Sequence, residues 1–158
     1  SAASGHQVNK AATTTAIVAD TPDPSVANQA YTVTYAVTIP APGAGTPTGT
    51  VTVSDGSASC TGTLPATSCQ LTSVTPGTRS LTATYNGDAN FSSSVSATAA
   101  HQVTQSATTT AITADTPDPS VVGQPYTVSY SVTVTPPGTG TCGASTPRRC
   151  TSARASIG

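Results

Sequence analysis

Glutamate, methionine and tryptophan are absent from the 158 residues, and lysine and phenylalanine occur once each, at Lys10 and Phe91. Charged residues make up only 7% of the chain, against about 25% in an ordinary soluble domain. The formal net charge is −1, and three of the five basic residues (Arg148, Arg149, Arg154) crowd the C-terminal end. No basic stripe exists, which excludes the electrostatic footprint of a nucleic-acid binder. No apolar run approaches the roughly 20 residues that carry a helix across a bilayer, so no membrane insertion is expected of this segment. There is no charged-then-apolar leader, and the chain starts with Ser rather than Met. It reads as a mature or truncated fragment.

Thr, Ser, Ala and Val fill most positions instead. Thr and Val are β-branched and suit a pleated surface. Thirteen Gly and 13 Pro interrupt the chain every few residues, so no long helix can run through it. The expectation is an all-β protein rich in turns. The four cysteines are Cys60, Cys69, Cys142 and Cys150. An even count in such a chain fits an oxidising, extracellular compartment; the rival reading is four reduced thiols.

The strongest signal is repetition. His6-Gln7-Val8 recurs as His101-Gln102-Val103, Ala12 to Ile17 as Ala107 to Ile112, and Asp20-Thr21-Pro22-Asp23-Pro24-Ser25-Val26 as Asp115 to Val121. The offset is 95 throughout, without a gap, up to Gly45-Thr46 and Gly140-Thr141. A period of that size is too long for a solenoid unit and suits a β-sandwich of about 100 residues. Residues 1–10 then read as the end of a preceding repeat, 11–103 as one complete repeat, and 104–141 as the first two strands of a second. The array is expected to be cut at both ends.

Alternation places the strands. Tyr31, Val33, Tyr35, Val37 and Ile39 alternate with small or polar residues, as do Val51 and Val53, and Leu81, Ala83 and Tyr85. Ile17 anchors a first strand, and Phe91 and Val95 are expected to begin the last. About seven strands result. The expected core is Ile17, Tyr31, Val33, Tyr35, Val37, Val51, Val53, Leu71, Leu81, Tyr85, Phe91 and Val95. It is thin in large side chains, and a Cys60–Cys69 bond across a segment with Gly62 and Pro65 that reads as a hairpin loop would reinforce it.

After Thr141 the repeat breaks in mid-motif into Cys142-Gly143-Ala144-Ser145-Thr146-Pro147-Arg148-Arg149-Cys150. The abruptness favours a reading-frame shift over residues 142–158. The rival is a genuine tail in which Cys142 and Cys150 close a small loop.

The run Leu81-Thr82-Ala83-Thr84-Tyr85-Asn86-Gly87-Asp88-Ala89-Asn90-Phe91-Ser92-Ser93-Ser94, with Pro47-Thr48-Gly49-Thr50-Val51-Thr52-Val53 and Pro76-Gly77-Thr78, resembles the bacterial Ig-like domain repeats of the third group. In that pattern Tyr85, Gly87, Asp88, Asn90 and Phe91 are the family motif. The resemblance covers residues 11–103 fully and 106–141 partly. It implies an immunoglobulin-like antiparallel β-sandwich in a secreted or surface-attached bacterial protein, with no catalytic residues and no cofactor. The module would act as stalk or adhesive unit. Its partners would be neighbouring repeats and a glycan or protein ligand on a host or surface. Two alternatives stand beside it: a spacer or accessory binding module of a secreted carbohydrate-active enzyme, and an extracellular filament subunit assembled by β-strand donation.

Chemistry is otherwise sparse. His6 and His101 occupy the same repeat position and read as surface linker histidines, because no further metal ligands are expected to converge on either. A Ser-His-Asp triad would have to borrow one of them. The six carboxylates, Asp20, Asp23, Asp55, Asp88, Asp115 and Asp118, flank Pro or Gly and are expected to bond local backbone amides in turns. Calcium at a repeat junction, through Asp20 and Asp23 or Asp88 and Asn90, is disfavoured by too few oxygens.

Overall fold

The structure is a computed structural model that describes residues 4–139; Cys142, Cys150 and the aberrant tail lie outside the described residues. Among the described residues there are eleven strands: β1 (Thr14–Thr21), β2 (Ser25–Val26), β3 (Ala30–Thr38), β4 (Thr50–Ser54), β5 (Ser59–Thr63), β6 (Ser68–Thr72), β7 (Gly77–Tyr85), β8 (Ser94–Val95), β9 (Ala99–Thr104), β10 (Thr108–Thr116) and β11 (Thr127–Val134). The first nine form two facing sheets. One has the order β1-β3-β6, and the other β2-β9-β7-β4-β5, with β8 also paired to β7. Seven of these nine strands have five residues or more, in keeping with the count expected from sequence. All-β architecture is thereby borne out.

The first strand changes sheets. β1 pairs antiparallel with β3, and four residues later β2 pairs parallel with β9, Ser25 opposite Val103. Thr21-Pro22-Asp23-Pro24 makes the crossing. Proline has no N–H for the ladder, so Pro22 and Pro24 end pairing in one sheet and let it resume in the other.

The core lies between the sheets. Tyr31, Val33 and Tyr35 of β3 and Leu71 of β6 face Val51 and Val53 of β4 and Leu81, Ala83 and Tyr85 of β7, with Phe91 at one end. Ile17 and Val37 are half-buried against this cluster. Tyrosine supplies the bulk that Trp and Met would otherwise bring, and a buried phenol needs a partner. Tyr85 Oη donates to the Thr48 carbonyl at 2.8 Å, and Tyr31 Oη bonds Ser73 Oγ at 3.1 Å. Tyr35 Oη has no partner among the described residues. It sits where a side chain on Gly62 would stand, so glycine at 62 is required for space.

One expected core residue is misplaced. Val95 is 63% exposed, and Ser96 is buried instead. The chain does not run from Phe91 as a single strand. Ser92 N–H bonds the Ala11 carbonyl, Ser94 Oγ lies 2.8 and 2.7 Å from Thr13 and Thr15 Oγ1, and Ser96 Oγ accepts the Ala83 amide at 3.0 Å. These serine bonds reset the parity of the side chains. The last strand of the sandwich is β9, whose Val103 and His101 join the interior.

The opposite flank is closed covalently. Cys60 of β5 and Cys69 of β6 form a disulfide, nine residues apart. β5 and β6 are not the hairpin expected between these cysteines but the outer strands of different sheets, so the bond ties the sheets together at their open edge.

β10 and β11 repeat the β1–β3 pairing in the same register. Thr14 opposes Thr38, and Thr109 opposes Thr133; the irregularity between Ile17 and Ala19 returns between Ile112 and Ala114. The hairpin meets the sandwich at the turn after β2, where Asn28 Nδ2 donates to the Thr139 carbonyl at 2.9 Å. Its apolar face is open, with Ile112 73% exposed.

Two outcomes test this description. Gly62→Ala should lower stability by about 1–3 kcal/mol, the usual cost of overpacking, with partial recovery when Tyr35→Phe removes the opposing hydroxyl; urea unfolding measures both, and an unaffected Gly62→Ala protein would contradict the close approach. Reducing the Cys60–Cys69 bond should cost about 2.5–3 kcal/mol on the loop-entropy model, read from unfolding curves with and without reductant.

Candidate functional site

A buried cluster of polar side chains forms where the first strand changes sheets. His101 and Ser25 are both 0% exposed. His101 points inward because Ala99, His101 and Val103 share the inner face of β9. Its Nδ1 lies 2.6 Å from Asp20 Oδ2 and 3.5 Å from Asp23 Oδ1. Its Nε2 lies 2.8 Å from Ser25 Oγ. A carboxylate oxygen accepts, so the ring donates from Nδ1, and the Ser25 hydroxyl pairs with Nε2. Asp23 Oδ1 also accepts the Gln102 amide at 2.9 Å. Tyr31 stacks on the imidazole, with centroids 3.8 Å apart and planes at 13°.

This corrects the expectation of a surface linker histidine. His101 is a core residue of its own sandwich, whereas His6 is exposed. The alternation Ala99-His101-Val103 carries the signal, and it is legible only when β9, not a strand from Phe91, is the last strand. It also corrects the expectation that no ligands converge on a histidine: Asp20, Asp23 and His101 place their ligand atoms within 4.8 Å of one another. Asp20 and Asp23 bond β9, some 80 positions away, rather than local turn amides.

Contact by contact, Asp20–His101–Ser25 has the order of a hydrolytic triad. A nucleophile must also be reachable and face donors for the oxyanion. Ser25 has no exposed surface, and the nearby Gln102 N–H is already taken by Asp23. What this geometry does is latch. Hydrogen bonds to charged groups are each worth about 1.5–3 kcal/mol net, and these hold the sheet-switching segment to the last strand.

The motif residues Tyr85, Gly87, Asp88, Asn90 and Phe91 gather at another place and shape a turn. Asp88 Oδ2 accepts the Thr48 amide and hydroxyl at 2.8 and 2.7 Å. Its Oδ1 accepts the amides of Asn90 and Phe91, both at 2.8 Å. The Thr48 hydroxyl above all, with these amides, holds the Asp88 carboxyl well below the usual carboxylate range. Gly87 has φ +78, and a Cβ there would press on the Phe91 carbonyl at 2.9 Å. Asp55 organises a second turn, accepting the Ser57 and Ala58 amides at 2.8 and 2.5 Å and the Ser73 hydroxyl at 2.5 Å. Burial alone would raise its pKa; the Ser73 hydroxyl, the two amides and the Arg79 charge outweigh that and lower it. Asp55 and Asp88 therefore follow the expectation for turn aspartates, and Asp20 and Asp23 do not.

Two sheets face to face, a first strand shared between them and a tyrosine-rich interior define an immunoglobulin-like β-sandwich. The model of a family described as bacterial Ig-like domain (group 3) matches residues 17–104, more than half of the chain, and the chain belongs to that family. Among solved structures it is similar to the fibronectin(III)-like modules of Clostridium thermocellum CbhA, at 16% identity and a TM-score of 0.44, over 77% of this chain. The chain spans 63% of the length of that structure. A comparison with curated proteins found no match.

The two turn carboxylates set an acid limit. A carboxyl held below its unfolded value, about 3.9 for Asp, stabilises the fold above that value, and the contribution is lost as pH falls through the folded value. The melting temperature should therefore decline below about pH 4. Asp55→Asn and Asp88→Asn should each lower it at neutral pH and flatten the decline. A melting series from neutral to strongly acid pH measures this, and an acid limb unchanged in both variants would exclude these groups as its source.

Proposed function

We propose that the chain is a non-catalytic stretch of a tandem Ig-like array in a secreted or surface-attached bacterial protein, working as a stalk or adhesive module. The observation that carries the reading is the direct passage from β9 into β10, which starts again the pairing that β1 and β3 make, residue for residue. Only three residues separate Thr104 from Thr108, too few for a flexible linker to decouple successive units. Residues 11–103 would be the complete repeat, 104–141 the opening of the next and 1–10 the close of the one before.

The disulfide supports an oxidising compartment. The burial of Ser25 and His101 supports a non-catalytic role, because this triad-like constellation is spent on holding the fold. Neighbouring repeats are the first partners of such a unit, and a glycan or protein on a host or surface is the outer one.

Antibodies raised against residues 11–103 should label intact producing cells or find the protein in the medium, and Cys60 and Cys69 should resist alkylation until reductant is added. A reduced, intracellular protein would overturn the extracellular reading. Ester hydrolysis lost in Ser25→Ala but retained when exposed serines are replaced would overturn the non-catalytic one.

A further inference from the structure

Asp20, Asp23 and His101 gather three possible ligand atoms within 4.8 Å of one another. Asp20 and Ser25 alone satisfy both ring nitrogens. Asp23 nonetheless turns a second carboxylate oxygen toward the same Nδ1. We propose that these three residues bind a divalent transition-metal ion of the zinc type at the seam between the first and last strands.

Two of the three ligand-atom spacings are close to what such an ion needs, and all three atoms lie within 4.8 Å of one another. Zinc bonds of about 2.0–2.1 Å in tetrahedral geometry put ligand atoms about 3.3 Å apart. Nδ1 and Asp23 Oδ1 are 3.5 Å apart already. Nδ1 and Asp20 Oδ2, at 2.6 Å, must open by less than about 1 Å to meet that spacing. The surroundings are those of a supported site. Ser25 fixes the far nitrogen, the Gln102 amide fixes Asp23, and Tyr31 fixes the ring plane. The Asp20 and Asp23 side chains are 15% and 38% exposed while the imidazole is 0% exposed, so an ion enters from the carboxylate side and completes its coordination with water.

The protons balance. A neutral ring in the latch carries its proton on Nδ1 and accepts at Nε2. On binding, Nδ1 gives its lone pair to the ion and the proton moves to Nε2, where the Ser25 hydroxyl rotates from donor to acceptor. A neutral ring thus binds with no net proton release. One nitrogen with two carboxylates suits zinc, cobalt or manganese rather than calcium, which takes six to eight oxygens.

The test uses the full 158-residue chain in chelator-free buffer. Zinc titrated by calorimetry should saturate one site, and the melting temperature should rise with zinc concentration. Cobalt(II) should give visible bands of nitrogen and oxygen ligation with no thiolate charge-transfer band. Asp23→Asn, which keeps an oxygen for the Gln102 amide, should fold without metal and weaken zinc by about tenfold or more. His101→Gln should remove binding. His6→Ala and the double variant Cys142→Ser, Cys150→Ser should leave it unchanged. Absence of saturable binding at millimolar zinc would overturn the proposal. So would binding that survives in a folded Asp23→Asn protein undiminished, or that disappears with His6 or the two cysteines.

Discussion

A buried imidazole has two nitrogens to satisfy, and this requirement organises the closing of the sandwich. His101 brings the ring inward from the last strand, and an unpaired polar group there would cost several kcal/mol, about 2–7 on transfer scales. Both partners come from the first strand on either side of its change of sheet, Asp20 before it and Ser25 after it. The segment can cross between the sheets only where Pro22 and Pro24 release it from the ladder, and it can stay across only because β9 holds it. Strand order, proline placement and polar satisfaction are one constraint seen from three sides.

The two open flanks of the sandwich are fastened by different chemistry. On the side of β1, β2 and β9 the fastening is the hydrogen-bonded seam, stacked on Tyr31. On the side of β5 and β6 it is the Cys60–Cys69 bond. Between them lies a core with three fully buried tyrosines and few other large side chains. A small interior leaves such a domain marginal, so fastenings at the edges carry a larger share of stability than they would around a bulkier core. The turns contribute in the same manner: Asp55 and Asp88 each gather backbone amides and a hydroxyl from distant segments.

Sequence reading reached the fold class, the strand alternation around Tyr31, Val51 and Leu81, and the cysteines that pair. It failed where short-range pattern and long-range partner part company. Val95 sits at the right spacing from Phe91 for a continuous strand, but the serines between and after them bond out of register. Asp20 and Asp23 stand beside prolines as turn aspartates do, yet their partners lie 81 and 79 positions away. A lone histidine near a repeat boundary gives no sign of burial unless the strand it belongs to is already placed.

The chain contains its own control for what is local. β10 and β11 have nearly the sequence of β1 and β3 and adopt the same register, with the same irregularity. Pairing and register thus belong to the sequence alone, because alternation and proline position act within a few tens of residues. Burial does not: Tyr31, Val33 and Tyr35 are sealed in the core, while Tyr126, Val128 and Tyr130 remain half-exposed. Nor does the seam, since Asp115, Asp118 and Ser120 recur without a described strand bearing a histidine to meet them. Only the tertiary structure decided those, because a facing sheet and a buried imidazole come from residues far along the chain, and no local pattern encodes a partner that distant.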